Sequence, residues 1–527
     1  MIRGSARGLV VLLGILGCGP AAGTEGPTEH GSGGPQLPRT GDTAAVEREA
    51  LGEPQLLEMG GDSPVITIRV VFDAGSAEDG AHAGITNLTA RLMVGGGTES
   101  LTYAELTSQL FPMAGELGAQ VGRDETVFVG RVHRDHLAAF YALFRDVLLT
   151  PRMAEEDFRR VKTQVTSELE LELRGNDDEE LGKEMLQSML YEGHPYGHPV
   201  LGTETGLRSI AVEDVRVHRQ RVFCGGRATV GIAGGYPEGF AEQLRRDVAT
   251  ATWDSCMGRL RLPAAPSVDA SRMWIVDKAE ASATAISMGM HIDVTRADPD
   301  YPALLLASAY LGQHRQFAGI LMQRMRGDRG LNYGDYAYAE HFDQDGWSVF
   351  PQVNTSRRQQ YFSIWIRPVE PAKAQFAIRM AVRELRRFVE RGMTAGDLER
   401  IRTFADGYYA LYLQTQSRRL GFALDDRFYG LERSYLERLR ESWRALTVEQ
   451  INEAIRRHLR PDQLQIAVVA PDATRLADAL ASEAASPIEY AAEVSEEVQR
   501  EDLAIVGYRV GIPRARIRVV PLSATFR

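Results

Sequence analysis

The chain has 527 residues, of which 44% are hydrophobic, and it carries a net charge of −11 with a pI near 5.6. This length is too great for a single hydrophobic core, so we expect two or more sizeable ones. The acidic balance argues against a nucleic-acid partner, because binding to a phosphate backbone requires a basic face. Composition and charge therefore predict a globular protein with several cores that binds no nucleic acid.

The N-terminus has the pattern of a secretory signal peptide over residues 1–17. Arg3 and Arg7 form a basic start, and residues 9–17 form an apolar run too short to span a bilayer as a helix. Residues 15–18 (ILGC) resemble a bacterial lipobox, which implies cleavage before Cys18 and a lipid on that cysteine. An ordinary signal peptide with an incidental cysteine is the alternative.

A flexible tether is predicted over residues 18–54, because its first part is rich in Gly, Pro and Thr and almost free of large apolar residues. No later segment offers an uninterrupted apolar span, so a lipid on Cys18 would be the membrane attachment. We therefore expect the protein in the bacterial cell envelope, anchored by lipid, facing the periplasm and held at the outer membrane.

A buried strand is predicted over residues 65–72, which are β-branched in type and bounded by Pro64 and Gly75. Residues 71–79 (VFDAGSAED) and 84–98 (GITNLTARLMVGGGT) follow. Together they resemble the opening of the M16 family, which includes insulinase, pitrilysin and the mitochondrial processing peptidase. In that family a strand ending in a Gly-Ser pair leads into a helix that carries an HxxEH zinc motif.

The motif is degenerate in this chain. In the family two histidines bind zinc, and the glutamate between them polarises the attacking water. Here Asn87 and Arg91 stand at the histidine positions and Ala90 at the glutamate position. Arginine is always protonated and has no lone pair to give, and alanine has no group that could act as a base. The sequence therefore predicts that this chain binds no metal or other cofactor and has no catalytic residue of its own.

The family resemblance implies a third metal ligand, a glutamate, on the helix after Thr150. Glu168 lies 77 positions after Arg91, close to the family spacing, in the acidic run of residues 165–172 (VTSELELE). It is a possible residual ligand. One carboxylate makes a poor zinc site, because catalytic zinc takes three protein ligands. A solvated acidic helix turn is the favoured interpretation.

His194 and His198 are four positions apart, which could suggest a replacement metal site. A proline follows each of them and disfavours the helix that would bring both onto one face. The segment also resembles a structural turn of the M16 family, so metal binding is not favoured here.

Cys224 and Cys256 remain if Cys18 carries lipid. They could pair in an oxidising periplasm or stay as buried free thiols, and the sequence does not decide between the two.

One family feature is intact. Residues 321–333 (LMQRMRGDRGLNY) resemble a motif of the family's C-terminal half, in which an arginine and a tyrosine seven positions later hold the substrate backbone beside the zinc. In this chain they are Arg326 and Tyr333. Both side chains can donate to a peptide carbonyl and stabilise the charge that develops on it. The alternative is a surface arginine at a helix end and a tyrosine in the core.

A helix is predicted over residues 372–391, with Gly392 as its C-cap and with Arg387 on its exposed face. Thr394 and Asp397 then form an N-cap pair that opens the next helix.

Two halves of the chain can be aligned. Residues 153–162 (MAEEDFRRVK) recur in type 240 positions later as residues 393–402 (MTAGDLERIR), and residues 212–215 (VEDV) recur 236 positions later as residues 448–451 (VEQI). Two repeats at nearly one spacing imply a duplicated domain. We predict an α+β fold of two homologous M16-type metallopeptidase domains, residues 55–265 with the degenerate zinc site and residues 266–527 with the Arg/Tyr motif.

The resemblance implies a non-catalytic subunit that forms a heterodimer with a zinc-bearing M16 homologue. Zn²⁺ would lie in that partner, while Arg326 and Tyr333 would hold a peptide or unfolded protein substrate. Two alternatives stay open: a stand-alone periplasmic peptide-binding or assembly protein, and an active metallopeptidase with a rearranged site.

Overall fold

The computed structural model describes residues 47–527. The predicted signal peptide, Cys18 and most of the predicted tether lie outside the described residues. Within residues 47–527, no helix is long and apolar enough to cross a membrane.

The first half of the chain forms a five-stranded sheet in the order β1-β5-β2-β4-β3. β1 and β5 are parallel, and the other neighbours are antiparallel. The predicted strand over residues 65–72 is confirmed as β2, which is buried from its second residue onward. The strands are β1 (Gln55–Gly60), β2 (Val65–Phe72), β3 (Glu116–Val121), β4 (Thr126–His133) and β5 (Ala228–Gly234).

The second half forms a six-stranded sheet in the order β11-β6-β10-β7-β9-β8. Its strands are β6 (Arg272–Asp277), β7 (Thr284–Ile292), β8 (Asp335–Tyr338), β9 (Gln360–Val369), β10 (Gln465–Ala470) and β11 (Ile517–Pro521). Without the added edge strand β11, this order repeats the first sheet strand for strand, including the parallel pair, here β6 and β10. The two sheets confirm the predicted α+β fold built by duplication.

Helices cover the sheets in both halves. Those of the first half are α1 (Ile85–Gly95), α2 (Tyr103–Leu110), α3 (Leu137–Leu149), α4 (Glu155–Ser167), α5 (Asp178–Leu190), α6 (Glu204–Ser209), α7 (Val212–Val222) and α8 (Phe240–Ala249). Those of the second half are α9 (Tyr301–Gly312), α10 (Ala374–Arg391), α11 (Ala395–Ala410), α12 (Gln416–Phe428), α13 (Tyr435–Ala445), α14 (Val448–His458), α15 (Ala473–Ala481) and α16 (Glu496–Val506). Two segments are π-helical, Glu168–Asn176 at the end of α4 and Met322–Gly327 after α9.

One helix of each half packs against the sheet of the other half. α5 packs on β7 and β10 of the second sheet, and α12 packs on β5 and β1 of the first. In the second contact, Leu420 and Leu424 of α12 join Val71 and Ala233 in one apolar cluster. Because apolar side chains of both halves are buried in these contacts, the halves stabilise one another.

Buried polar contacts also join the halves. The Arg358 side chain donates to Asp124 Oδ1 from Nε at 3.0 Å and from Nη2 at 2.6 Å. Burial alone would raise the pKa of Asp124, but the Arg358 guanidinium lowers it below its usual value. Arg69 Nη1 donates to Asn354 Oδ1 at 2.9 Å in the same region. The Arg358–Asp124 ion pair and the Arg69–Asn354 hydrogen bond therefore join the two halves at this junction.

The predicted helix over residues 372–391 is confirmed as α10, and a capping box of Thr394 and Asp397 opens α11 as predicted. The prediction that Arg387 lies on the exposed face is wrong. Arg387 is half-buried, and its Nη1 lies 3.1 Å from Glu501 Oε1 of α16. The sequence could not show this contact, because α16 lies more than a hundred residues further along the chain.

Cys224 and Cys256 form a disulfide, with their Cα atoms 6.2 Å apart and 32 residues of separation. Closing a loop of this length removes roughly 3–4 kcal/mol of unfolded-chain entropy. We expect the Cys224→Ser/Cys256→Ser variant to melt roughly 5–15 °C below the wild type by calorimetry. We expect the same decrease in melting temperature when the wild type is unfolded in the presence of reductant. Two free thiols per chain, detected by alkylation without reduction, would contradict this expectation.

Candidate functional site

The direction of α1 is set by a turn just before it. Asp79 Oδ2 accepts from the backbone N–H of Gly84 at 2.6 Å, and Oδ1 accepts from that of Thr86 at 3.0 Å. Gly84 has a φ of 101°, and a Cβ atom there would lie 2.8 Å from the carbonyl oxygen of Leu201. Only glycine fits both conditions. The turn therefore fixes the face of α1 on which Asn87 and Arg91 lie one turn apart.

An ion pair occupies the degenerate zinc position. Arg91 Nη1 donates to Glu168 Oε1 at 2.7 Å, and Arg91 Nε donates to Asn87 Oδ1 at 3.1 Å. Ala90 is fully buried behind them. The structure thus brings Asn87, Arg91 and Glu168 together, although Glu168 is paired rather than simply solvated.

These residues do not fit a zinc ion. The carboxylate of Glu168 is taken by a permanent cation, and neither Arg91 nor Ala90 has a lone pair to offer. Across residues 47–527, no group of three or more His, Cys, Asp or Glu side chains could hold a metal ion.

The rings of His194 and His198 each lie within hydrogen-bonding distance of backbone atoms. His194 Nδ1 accepts from the N–H of Tyr196 at 3.1 Å, and its Nε2 lies 3.2 Å from the carbonyl oxygen of Pro263. His198 Nδ1 lies 3.0 Å from the carbonyl oxygen of Pro199. Both histidines lie in turns, as the prolines predict.

The Arg326 guanidinium lies over two exposed aromatic rings. Its Cζ lies 4.4 Å from the ring centroid of Tyr333 and 4.8 Å from that of Phe317. Tyr333 is 60% exposed and Phe317 is 61% exposed, so the alternative of a core tyrosine is wrong. Within residues 47–527 the Arg326 guanidinium has no hydrogen-bond or ion-pair partner. Cation–π contact with the two rings occupies none of the guanidinium N–H donors, so these donors remain free for a ligand.

Ion pairs with α16 and α10 anchor the segment that carries Arg326. Arg324 Nη1 donates to Glu384 Oε2 at 2.6 Å, and Arg329 donates to Asp502 Oδ1 and to Glu501 Oε2, each at 2.9 Å. Burial would raise the pKa of Glu501, but Arg324 and the other arginines around it lower the pKa to about 2. The π-helical segment is therefore held on both sides of Arg326.

A buried carboxyl group lies within electrostatic reach of Arg326. Asp335, at the start of β8, accepts from Asn332 Nδ2 at 2.6 Å, and its second carboxyl oxygen has no partner among the described residues. Burial raises the pKa of Asp335 to about 8, although Asn332 and the charge of Arg326 act to lower it. At neutral pH this carboxyl is therefore largely uncharged and does not compensate the positive charge of Arg326.

Asp335→Asn tests this protonation state. The pKa of Asp335 is about 8 in the folded chain and about 3.9 in an unfolded one, so the folded state binds the proton more tightly. Stability should therefore fall as pH rises from about 4 to about 8, because the unfolded chain releases this proton while the folded chain keeps it. Asparagine keeps the shape without the charge. We expect the melting temperature of the variant, relative to wild type, to rise over that pH range, while the exposed control Asp269→Asn shows no such trend. Melting temperatures of the wild type and Asp335→Asn that change in parallel with pH would contradict a protonated Asp335.

The segment from Glu168 through α5 connects the Arg91–Glu168 ion pair to the surroundings of Arg326. The π-helical segment begins at Glu168 and leads into α5, whose Glu179 Oε2 accepts from Arg367 Nε at 3.1 Å. Arg367 in turn lies with its Cζ 5.9 Å from the Tyr333 ring centroid. The helix lent by the first half thus links the Arg91–Glu168 ion pair to the Arg326 stack.

The sequence did not identify Phe317, Asp335 or Glu501. Phe317 lies in a polar run that shows no periodicity, and its stacking on Arg326 is a tertiary contact. Glu501 is 177 residues from its partner Arg324. The sequence offers a signal only for Asp335, an acidic residue directly before the Tyr-Ala-Tyr run of β8.

The model of the insulinase family, peptidase family M16, matches residues 58–204. An uncharacterized zinc protease of Mycobacterium tuberculosis is 25% identical over 417 residues, which cover 78% of this chain and 89% of that protein. The non-peptidase homolog YmxG of Helicobacter pylori is 20% identical over 414 residues, covering 77% of this chain and 89% of the relative.

Solved structures show the same fold. The peptidase M16 inactive domain from Pseudomonas fluorescens superposes with a TM-score of 0.69 at 22% identity, covering 81% of this chain and 98% of that one. A protease from Helicobacter pylori superposes with a TM-score of 0.67 at 16% identity, covering 81% and 100%.

Proposed function

Because the chain is an M16-like peptidase-family protein, we propose that it is a non-catalytic subunit that pairs with a zinc-bearing homologue and holds peptide for cleavage by that partner. The observation that carries the proposal is the ion pair of Arg91 and Glu168, which occupies the degenerate metal position.

Chemistry at this position supports the inactive assignment. A zinc ion would have to displace Arg91 from Glu168 and then lie beside a guanidinium that stays protonated. Like charges a few ångströms apart repel strongly in a partly buried site. The relative from Helicobacter pylori is itself named a non-peptidase homolog, which agrees with loss of the chemistry in part of this group.

The Arg326 stack supports a role in holding substrate. The guanidinium is oriented by Tyr333 and Phe317 and keeps its N–H edge free, and the exposed Tyr333 can present its hydroxyl beside it. Two donors aimed at one region can hold a peptide carbonyl and stabilise the negative charge that develops on it during attack. In this proposal the attacking water and its metal belong to the partner.

The experiment compares peptide cleavage by this chain, by the zinc-bearing homologue and by their mixture. We expect no cleavage by this chain alone and far more by the mixture than by the partner alone. Metal-dependent cleavage by this chain alone would support an active peptidase with a rearranged site. No gain on mixing would point to a stand-alone peptide-binding or assembly protein.

We further propose that the protein is anchored by lipid at Cys18 and faces the periplasm. The Cys224–Cys256 disulfide supports an oxidising compartment, because disulfides rarely persist in a reducing cytosol. Cys18→Ser should move the protein from the membrane fraction to the soluble fraction, since a lipid chain would no longer hold it. Cys18→Ser that fractionates with membranes as the wild type does would refute the anchor.

A further inference from the structure

Two arginines without a side-chain partner among residues 47–527 lie close to Phe317, one in sequence and one in contact with its ring. Arg315 is exposed and lies two residues before Phe317, and Arg326 stacks on the Phe317 ring. Within residues 47–527, neither Arg315 nor Arg326 has a hydrogen bond or ion pair from its side chain. We call the surface of Arg315, Phe317, Arg326 and Tyr333 the Arg315 face.

Nearby basic side chains behave differently. Arg367 is paired with Glu179, Arg324 with Glu384, and Arg329 with Asp502. The whole chain carries a net charge of −11. Arg315 and Arg326 therefore form a locally positive surface, next to exposed aromatic rings, on a protein that is acidic overall. Asp335, next to Arg326, supports the same conclusion, because burial raises its pKa to about 8 and leaves it largely neutral at pH 7.

We propose that the Arg315 face selects peptides that carry an acidic side chain two residues away from a bulky apolar side chain. Arg315 binds the carboxylate, Phe317 packs against the apolar side chain, and Arg326 and Tyr333 hold the backbone. This inference rests on the proposed function, since it names the class of substrate that the same site takes.

The spacing follows from the geometry of extended chains. The Cα atoms of Arg315 and Phe317 can be at most about 7 Å apart. In an extended peptide, residues two apart point to the same side and are separated by roughly 7 Å. The acidic and apolar side chains of such a peptide can therefore reach both residues at once.

The residue types match the ligand. The fork of a guanidinium matches a carboxylate bidentately, which makes this pair stronger than a neutral hydrogen bond. Phe317 is 61% exposed, although Arg326 covers part of its ring. The remaining ring surface is available to an apolar side chain.

The test measures binding of short fluorescein-labelled peptides to the whole chain by fluorescence anisotropy, without a partner. One peptide carries Glu and Leu two residues apart in a Gly/Ser background. A second has Gln in place of Glu, and a third has Glu and Leu adjacent. The protein variants are Arg315→Gln, Arg315→Glu and the control Arg444→Glu, which changes another exposed arginine without a partner among the described residues. Thermal melting checks that each variant is folded.

We expect the Glu peptide to bind wild type roughly 5- to 10-fold more tightly than the Gln peptide, because a charge-assisted hydrogen bond is about twice as strong as the neutral one that Gln can still make. The adjacent arrangement should bind more weakly than the spaced one. Arg315→Glu should abolish the preference for Glu, Arg315→Gln should reduce it, and Arg444→Glu should leave it unchanged.

Three results would overturn the inference: equal affinity of wild type for the Glu and Gln peptides, a preference that persists in Arg315→Glu, or binding of neither peptide. The proposed function is judged separately by the turnover of the assembled pair. Loss of turnover in Arg326→Ala together with indifference to Glu would leave the function standing and refute this selectivity.

Discussion

Replacing Arg326 with alanine should lower turnover by the assembled pair roughly 10- to 1000-fold, the range for loss of one charge-stabilising donor. Tyr333→Phe should act in the same direction, because it removes only the hydroxyl and keeps the ring on which Arg326 stacks. The free N–H edge of Arg326 has no structural partner among residues 47–527, so its loss should affect substrate rather than folding. Steady-state cleavage of a quenched fluorescent peptide measures the effect.

Arg444→Ala is the matched control, because Arg444 is exposed on α13 and has no partner among the described residues. Arg387 would be a poor control, since it helps hold Glu501 and hence the segment that carries Arg326. Gel filtration should show the same assembly for every variant. Wild-type turnover in a correctly assembled Arg326→Ala pair would show that this chain acts only as a scaffold.

The double variant Asn87→His/Arg91→His should convert the ion pair into a zinc site. Two histidines one turn apart on α1 would join Glu168, which Arg91 now holds at 2.7 Å, and so supply the three protein ligands of a catalytic zinc. The zinc content measured by metal analysis should rise from none in the wild type to about one zinc ion per chain in the variant. Ala90→Glu is left out of this step, because Ala90 is fully buried and a carboxylate there would destabilise the fold.

Two controls separate zinc binding at this site from adventitious zinc. Adding Glu168→Gln to the double variant should weaken zinc binding strongly, since one ligand loses its charge. Arg91→His alone should bind little zinc, because two ligands do not make a stable site. A double variant that stays folded and takes up no zinc would show that these positions do not converge on a metal geometry.

Local pattern predicted the fold well. The β-branched run of β2, the capping box of Thr394 and Asp397, and the two spaced repeats each depend on neighbours in sequence, and the structure confirms them. The exchange of α5 and α12 between the halves was not predicted, because an apolar helix face does not reveal which sheet it covers.

The site was only partly accessible from the sequence. Arg91 and Ala90 predicted the loss of the zinc ligands from residue chemistry alone. The sequence could not show that Arg91 would pair with Glu168, because the favoured interpretation of an acidic run is a solvated helix face. Likewise, nothing before the structure indicated that Phe317 would complete the Arg326 stack or that Asp335 would be buried beside it.

The most direct test of the central claim is the zinc content of the assembled pair. If this chain supplies the substrate-holding surface and its homologue the metal, the purified pair should contain one zinc, and separating the subunits should leave that zinc with the homologue. Two zinc ions per pair, or zinc that stays with this chain after separation, would contradict the account.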